Sequence, residues 1–428
     1  MGDNRFIQKI FHSEIIRNSS VLLSSNVLGQ LIAFAAYPVL TRIYSEAEYG
    51  VFAAFMGVCT VLTTLGTGRY EEALVIAKDK KETISLLGFS LKFLFFFSLT
   101  IFIVLALFRN SVLFLFKLEA LEAFWAYIPA VVFVTGLYYL LNNLATREKK
   151  FKQIAGSTLT QNIVNTVGKL LFGVFGLTHV GQISSNLLAM IIGNYPYRSL
   201  KNQVLAAIRG KRQDECQAAL RYLDFPKYNM GRTFLSGFSI NLPFLILIGF
   251  FGDAKIGLFS LAFTLLYRPL NLVANSLYST LFENSTVTVR ERKPFLPSLK
   301  KYWKYCFYLI PFFILAFIIA KPLFGFIFGA NWEESGTYFQ YMLPWMFMGI
   351  MVSPLYFVPI IFYKQNQALL IEIIFLLFRF VALWTGIYYQ NFETGILLFA
   401  IVGFVLTAIT FFWFYSLIFK YEKSIISA

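Results

Sequence analysis

Five basic residues stand inside long apolar stretches of this chain: Lys92, Lys169, Arg232, Arg268 and Arg379. A single acid, Glu372, shares that setting. Charge inside a membrane span is costly and is kept where it meets a cavity, a partner or water. Lysine and arginine near a span end reach water by extending their apolar stems. Arg232 lies only ~6 Å along its helix, and Lys92 and Lys169 lie ~9–12 Å from their nearer ends. Arg268 and Arg379 fall near mid-span, where only a cavity or a partner makes charge tolerable. Glu372 precedes Arg379 by seven residues on a similar helical face, too far along one helix for direct contact.

Amides surround these cations. Thr264, Arg268, Asn271 and Asn275 recur at four, three and four residues, which places them on one helical face. Asn162, Asn165, Lys169 and Gly173 form a second stripe, Arg232, Ser236 and Ser239 begin a third, and Asn26 with Gln30 makes a shorter one. Isolated Asn and Ser serve as hydrogen-bond glue between helices. Glue accounts poorly for a basic residue in the middle of an amide stripe. The expected chemistry is therefore non-covalent: a basic, amide-lined cavity that holds an anionic phosphate group carrying a polyhydroxylated body. Arg69, at the inner end of the second span, adds a phosphate contact near the cytoplasmic mouth. Such a cavity repels a cationic drug.

The elements that must position these groups are apolar stretches of roughly 20 residues, each long enough to cross ~30 Å of hydrocarbon at ~1.5 Å per residue. Twelve are expected: Ser19–Leu40, Tyr49–Gly68, Ile84–Leu107, Phe124–Ala145, Ala155–Phe175, Val180–Tyr197, Tyr228–Phe251, Ile256–Tyr278, Tyr302–Phe324, Tyr338–Ile361, Ala368–Tyr389 and Thr394–Phe419. The fold class is an all-α, polytopic membrane protein. With 14% charged residues against about 25% in soluble domains, the chain cannot cover a water-facing surface of its size. Its net charge of +15 follows membrane orientation rather than nucleic acid: with Lys304 and Lys321, near the two ends of Tyr302–Phe324, counted with the adjoining inner and outer segments, 27 of the 37 Lys and Arg are inner and 5 outer. That bias puts both termini in the cytoplasm.

An internal repeat divides the chain. Glu46-Ala47-Glu48-Tyr49-Gly50-Val51-Phe52-Ala53 is similar to Asp253-Ala254-Lys255-Ile256-Gly257-Leu258-Phe259-Ser260, at an offset of 207. Both stretches join the first two helices of a six-helix half, which implies a parallel repeat about an axis along the membrane normal. The expected organisation is a six-helix bundle over residues 1–200, a cytoplasmic amphipathic linker over 201–227 and a second six-helix bundle over 228–428. Arg209-Gly210-Lys211-Arg212 and the amphipathic Ala218–Leu223 suit the linker to the anionic inner surface. Phe6, Ile7, Ile10 and Phe11 give the start of the chain a similar interfacial face.

Enzymatic chemistry finds little support. Cys59, Cys216 and Cys306 are scattered without metal-ligand spacing, His12 and His179 form no HExxH, and no phosphate loop appears. Glu71-Glu72 and Glu333-Glu334 are adjacent pairs flanking loops and read as solvated charge rather than a catalytic pair. No cofactor is expected.

Several motifs together carry a family resemblance. Asn26-Val27-Leu28-Gly29-Gln30, Pro38-Val39-Leu40-Thr41-Arg42-Ile43-Tyr44, Glu48-Tyr49-Gly50 and Gly68-Arg69-Tyr70-Glu71-Glu72-Ala73 lie in the first half. Asp224-Phe225-Pro226-Lys227-Tyr228, Ser239-Ile240-Asn241-Leu242-Pro243, Phe250-Phe251-Gly252 and Arg268-Pro269 lie in the second. With these, the chain resembles the Wzx-type O-antigen or capsule repeat-unit flippases of the multidrug/oligosaccharidyl-lipid/polysaccharide (MOP) exporter superfamily. The resemblance covers the first 285 residues by motif and the rest by topology.

It implies a V-shaped pair of bundles in the cytoplasmic membrane of a bacterium. It also implies a substrate, an undecaprenyl-pyrophosphate-linked oligosaccharide turned from the inner to the outer leaflet by alternating access. Polysaccharide polymerase and chain-length machinery are implied partners beside the bilayer itself. Coupling to a proton or sodium gradient would fall to Glu372. The competing readings are a flippase for the peptidoglycan lipid precursor, a multidrug and toxin extrusion (MATE) exporter, and a membrane glycosyltransferase or polymerase. The exporter would need cavity acids, and Ser19–Leu40 has none.

Overall fold

The computed structural model describes residues 14–426; the interfacial start expected at Phe6–Phe11 lies outside them. The described chain is helical, and no strand occurs among these residues. In its first half run α1 (Glu14–Ile43), α2 (Glu46–Thr67), the short α3 (Tyr70–Ile76), α4 (Lys80–Leu115), α5 (Tyr127–Arg147), α6 (Phe151–Val174) and α7 (Thr178–Gly193). Two amphipathic helices follow, α8 (Lys201–Ile208) and α9 (Arg212–Arg221). The second half holds α10 (Gly231–Ile246), α11 (Ile248–Phe251), α12 (Asp253–Arg290), α13 (Leu296–Phe307), α14 (Ile310–Phe328), α15 (Glu333–Val352), α16 (Val358–Ile361), α17 (Gln365–Tyr388) and α18 (Phe392–Ile426).

Among the described residues, nine segments are long and apolar enough to cross a membrane. The other three expected spans fall on α1, α6 and α7. Helix α6 has the length, 24 residues, but Gln161, Asn162, Asn165 and Lys169 lower its hydropathy. Helix α7 has 16 residues, which is about 24 Å and short of a hydrocarbon core. Both helices still carry exposed apolar side chains, among them Val167 and Leu171 on α6 and Ile191 and Ile192 on α7. Elsewhere large apolar side chains face outward, among them Phe95, Phe96 and Leu107 on α4 and Phe312 and Phe326 on α14. In water such a surface would be an aggregation site; in a bilayer it is the solvated face.

The chain forms two compact units. One contains residues 14–44 and Val51–Gly237; the other contains Ser45–Gly50 and the chain from Phe238 onward. The first unit's core gathers Leu86, Leu87, Leu94, Leu140 and Leu144 with Tyr197 and Leu200, and it includes Ala207 of α8 and Ala218 and Ala219 of α9. Each linker helix therefore packs on that unit by one face. The second unit packs Phe295, Leu299 and Trp303 against Met351, Leu355, Phe357, Phe414 and Ile418. A π-helical turn over Phe225–Met230 precedes α10, and the unit boundary falls inside α10, after Gly237.

Candidate functional site

In the first unit α1 and α6 approach closely where Gly29 meets Asn162. A Cβ on Gly29 would lie 2.6 Å from the Asn162 amide nitrogen, so the absence of a side chain is what lets this amide reach α1. That nitrogen donates to the Thr158 carbonyl at 2.9 Å. The contact sets the Asn26–Gln30 turn beside the α6 stripe. Further along, the Tyr44 hydroxyl donates to the Lys169 carbonyl at 2.7 Å, and the half-buried Lys169 ammonium sits 4.0 Å from the centre of the Phe52 ring.

Sequence reasoning missed the amides behind this stripe. Gln182 on α7 is 1% exposed, and neither of its amide atoms has a hydrogen-bond partner among the described residues. The Asn186 and Asn165 carbonyl oxygens are likewise buried and unmatched. Gly168 brings α6 and α7 together, since a Cβ there would lie 3.0 Å from the Ser185 hydroxyl. Unmet buried hydrogen-bonding capacity is rare in proteins. The signal was present as the i, i+4 pair Gln182/Asn186, which carries no charge to draw attention.

In the second unit Arg268 is exposed on α12. Among the described residues its guanidinium has no hydrogen bond or ion pair. Asn271 is half-buried and Asn275 exposed on the same helix, and Pro269 removes the amide that would otherwise bond the Leu265 carbonyl. Arg379 has the opposite setting. It is 6% exposed, donates to the Ser239 hydroxyl at 3.0 Å, and is flanked by the rings of Phe375, Trp345 and Phe399 at 4.8, 4.9 and 5.5 Å. Glu372 is half-buried on the same helix. The two mid-span arginines are thus not equivalent: one is presented and the other enclosed.

The remaining predicted cations lie in the first unit. Lys92 is ion-paired with Glu215 of α9 at 2.7 Å, and Glu215 is buried. Arg69 follows Gly68 in a left-handed backbone, with φ of 60° and 57°, and contacts both Glu71, at 3.2 Å, and Glu72. Glu72 also accepts from the Asn229 amide at 3.2 Å. Arg232 is half-buried, and its guanidinium has no hydrogen bond or ion pair among the described residues. The reading of Glu71 as solvated charge is corrected: it is 2% exposed. Burial pushes its carboxyl above the usual range, with Arg69 opposing that shift. The other acidic pair differs, with Glu333 exposed and Glu334 bonded to Lys255 at 2.5 Å.

The sequence profile of the family described as polysaccharide biosynthesis protein matches residues 39–337. The chain belongs to that family. Its fold is that of MOP superfamily transporters. A structure described as the inward-facing conformation of a multidrug resistance MATE family transporter superposes with a TM-score of 0.72, at 15% identity, over 95% of this chain and 99% of that one. The lipid II flippase MurJ, in an inward closed conformation, gives 0.71 at 13% identity, over 96% and 91%. A MOP transporter from Pyrococcus furiosus, whose description notes a reversed polarity of its binding pocket, gives 0.57 at 14%, over 95% and 96%. No curated protein matches the chain. These solved relatives in fold are described as transporters and flippases, not catalysts.

Proposed function

We propose that this family member is a flippase that turns undecaprenyl-pyrophosphate-linked oligosaccharide from the inner to the outer leaflet of a bacterial cytoplasmic membrane, for O-antigen, capsule or exopolysaccharide synthesis. The observation that carries this reading is Arg268: a guanidinium within a membrane-spanning helix, exposed, without a partner among the described residues, and followed by Asn271 and Asn275. An arginine left open at that depth needs an anionic visitor to offset its desolvation. Arg binds phosphate oxygens in a bidentate fork, and amides suit sugar hydroxyls. Lys169 with Asn162, Gln30 and Asn26 gives the first unit a polar face of the same character.

The headgroup crosses by alternating access while the polyprenyl tail stays in lipid. No bond is made or broken. Glu372, seven residues before Arg379 on α17, is the proposed point of coupling to a proton or sodium gradient; Glu372→Gln with unchanged transport and unchanged ion dependence removes that role. Polymerase and chain-length machinery would receive the translocated unit. The peptidoglycan lipid precursor presents the same polyprenyl pyrophosphate and sugar, and the likeness in fold to MurJ keeps it as the second reading.

The test is translocation of a fluorescent polyprenyl-pyrophosphate oligosaccharide in proteoliposomes. Rapid flipping that collapses in Arg268→Ala, with folding intact, supports the reading. Export of a cationic dye by the same vesicles replaces it with the drug-exporter alternative.

A further inference from the structure

A pocket of about 480 Å³ opens in the first unit between the ends of α3, α4 and α5, lined by Val75, Lys80, Arg147, Glu148 and Lys149. Three cations against one acid make it basic. Lys80 opens a helix four residues before the expected span start at Ile84, and Arg147 closes another two residues after the expected span end at Ala145. At ~1.5 Å per residue the pocket lies within several ångströms of where the expected spans leave hydrocarbon. Ile76, at the end of α3 and next in sequence to Val75, is 62% exposed and extends an apolar surface from its rim.

Arg147 is held by its side chain, and the two lysines are placed by their backbone. One Arg147 terminal nitrogen donates to the Leu74 and Val75 carbonyls, at 3.2 and 3.0 Å, which satisfies the end of α3 and leaves the rest of the guanidinium fork for another acceptor. Lys149 sits in a left-handed turn, φ 55°, whose neighbour Lys150 donates its backbone amide to the Ala145 carbonyl at 2.8 Å. Lys80 opens α4 directly after Asp79, whose side chain accepts from the Glu82 amide at 2.8 Å. Neither lysine's ammonium group has a hydrogen bond or ion pair among the described residues.

We propose that this pocket holds a lipid-borne phosphate at the basic, inner-facing ends of the helices. A basic pocket at headgroup depth is the arrangement that fixes anionic lipid headgroups, and the exposed Ile76 suits an acyl or prenyl chain rather than water. The phosphate comes from a bulk anionic glycerophospholipid or from a polyprenyl pyrophosphate carrier. Only the second source rests on the flippase reading.

The experiment is native mass spectrometry of the full-length protein in detergent, titrated separately with phosphatidylglycerol, undecaprenyl pyrophosphate and inorganic pyrophosphate. Wild type is compared with Lys80→Gln/Lys149→Asn, in which Asn tolerates the left-handed turn. A control pair, Lys78→Gln/Lys152→Gln, removes the same charge from exposed positions that do not line the pocket. At roughly five-fold per lysine near the membrane surface, lipid affinity should fall about thirty-fold in the pocket variant and stay near wild type in the control. Retention of phosphatidylglycerol identifies bulk lipid as the source, and selective retention of undecaprenyl pyrophosphate identifies the carrier. Equal losses in both variants, no lipid binding by wild type, or inorganic pyrophosphate binding as tightly as either lipid would each overturn the proposal. Because binding is read without transport, failure here leaves the flippase reading standing, and failure of flipping leaves the pocket standing.

Discussion

Gly50 and Gly257 face each other reciprocally. A Cβ on Gly50 would collide with the Asp253 carbonyl oxygen and a Cβ on Gly257 with the Glu46 carbonyl oxygen, and each would lie 3.0 Å from the other glycine's amide nitrogen. In both cases the obstructing carbonyl belongs to the residue four before the opposite glycine. The opening residues of the two repeat copies, Glu46–Gly50 and Asp253–Gly257, thus meet with local two-fold symmetry. Both partners lie within the second unit, which takes Ser45–Gly50 from the first half of the chain.

That reciprocity makes a stability prediction. The obstacle at each position is backbone, which cannot rotate away, so Gly50→Ala and Gly257→Ala should each destabilise by about 1–3 kcal/mol. The double variant should cost less than the two singles combined, because one separation of the helices relieves both clashes. Thermal unfolding of the four proteins in one detergent measures this, and strict additivity would contradict the shared contact.

The two mid-span arginines should separate by phenotype. Arg379→Met keeps volume among three rings and removes an enclosed charge, so stability should change by less than about 1.5 kcal/mol. Headgroup flipping should survive. Arg268→Met should also fold, yet flipping should collapse. Transport loss in Arg379→Met with a wild-type melting curve would mean that the enclosed arginine meets the substrate after all.

Lys92 and Glu215 should respond asymmetrically. The Lys92 side chain is 41% exposed and Glu215 only 3%. Lys92→Met strands a buried carboxylate and should cost roughly 3 kcal/mol, whereas Glu215→Gln leaves a lysine able to reach water and should cost less. Trypsin digestion reads the consequence directly. Cleavage at Arg209, Lys211 and Arg212 should accelerate in Lys92→Met and recover in part when Glu215→Gln is added.

Glu71 should give stability a pH slope of unusual sign for a carboxylate. Its folded-state value is raised, with burial as the leading cause, and the charged or polar groups acting on it are Arg69, Glu72 and Thr67. The folded state then holds a proton that the unfolded chain releases. Stability should decline as pH climbs from the ordinary carboxylate range through the raised value. Glu71→Gln should flatten that decline in a melting series across pH, and an unchanged slope would place the titration elsewhere.

The helices were legible because apolar runs of span length leave few alternatives, and the repeat was legible from eight residues because its glycines do structural duty. The exposed position of Arg268 stands out in the sequence for a related reason, since a charge costly to keep announces itself. Glu71 was misread because adjacent residues on a helix point ~100° apart, so one member of an acidic pair faces inward while the other meets solvent. Lys92 and Glu215 are 123 residues apart, and no local pattern chooses such a partner. Gln182 and Asn186 look like ordinary polar residues until the packing of α7 on α6 encloses them.

The anchoring of α8 and α9 onto α4 bears on how this polypeptide can be divided. A break between 200 and 201 would strip Ala207, Ala218 and Ala219 from the core to which they belong, along with the Glu215 anchor and the contacts of Arg221 and Tyr222 with Glu82. A break at Leu223–Asp224 would leave all of them with the N-terminal fragment. Two plasmid-borne fragments should therefore complement when split at the second point and fail at the first, so the natural seam of the molecule lies past the helices that its sequence presents as a tether.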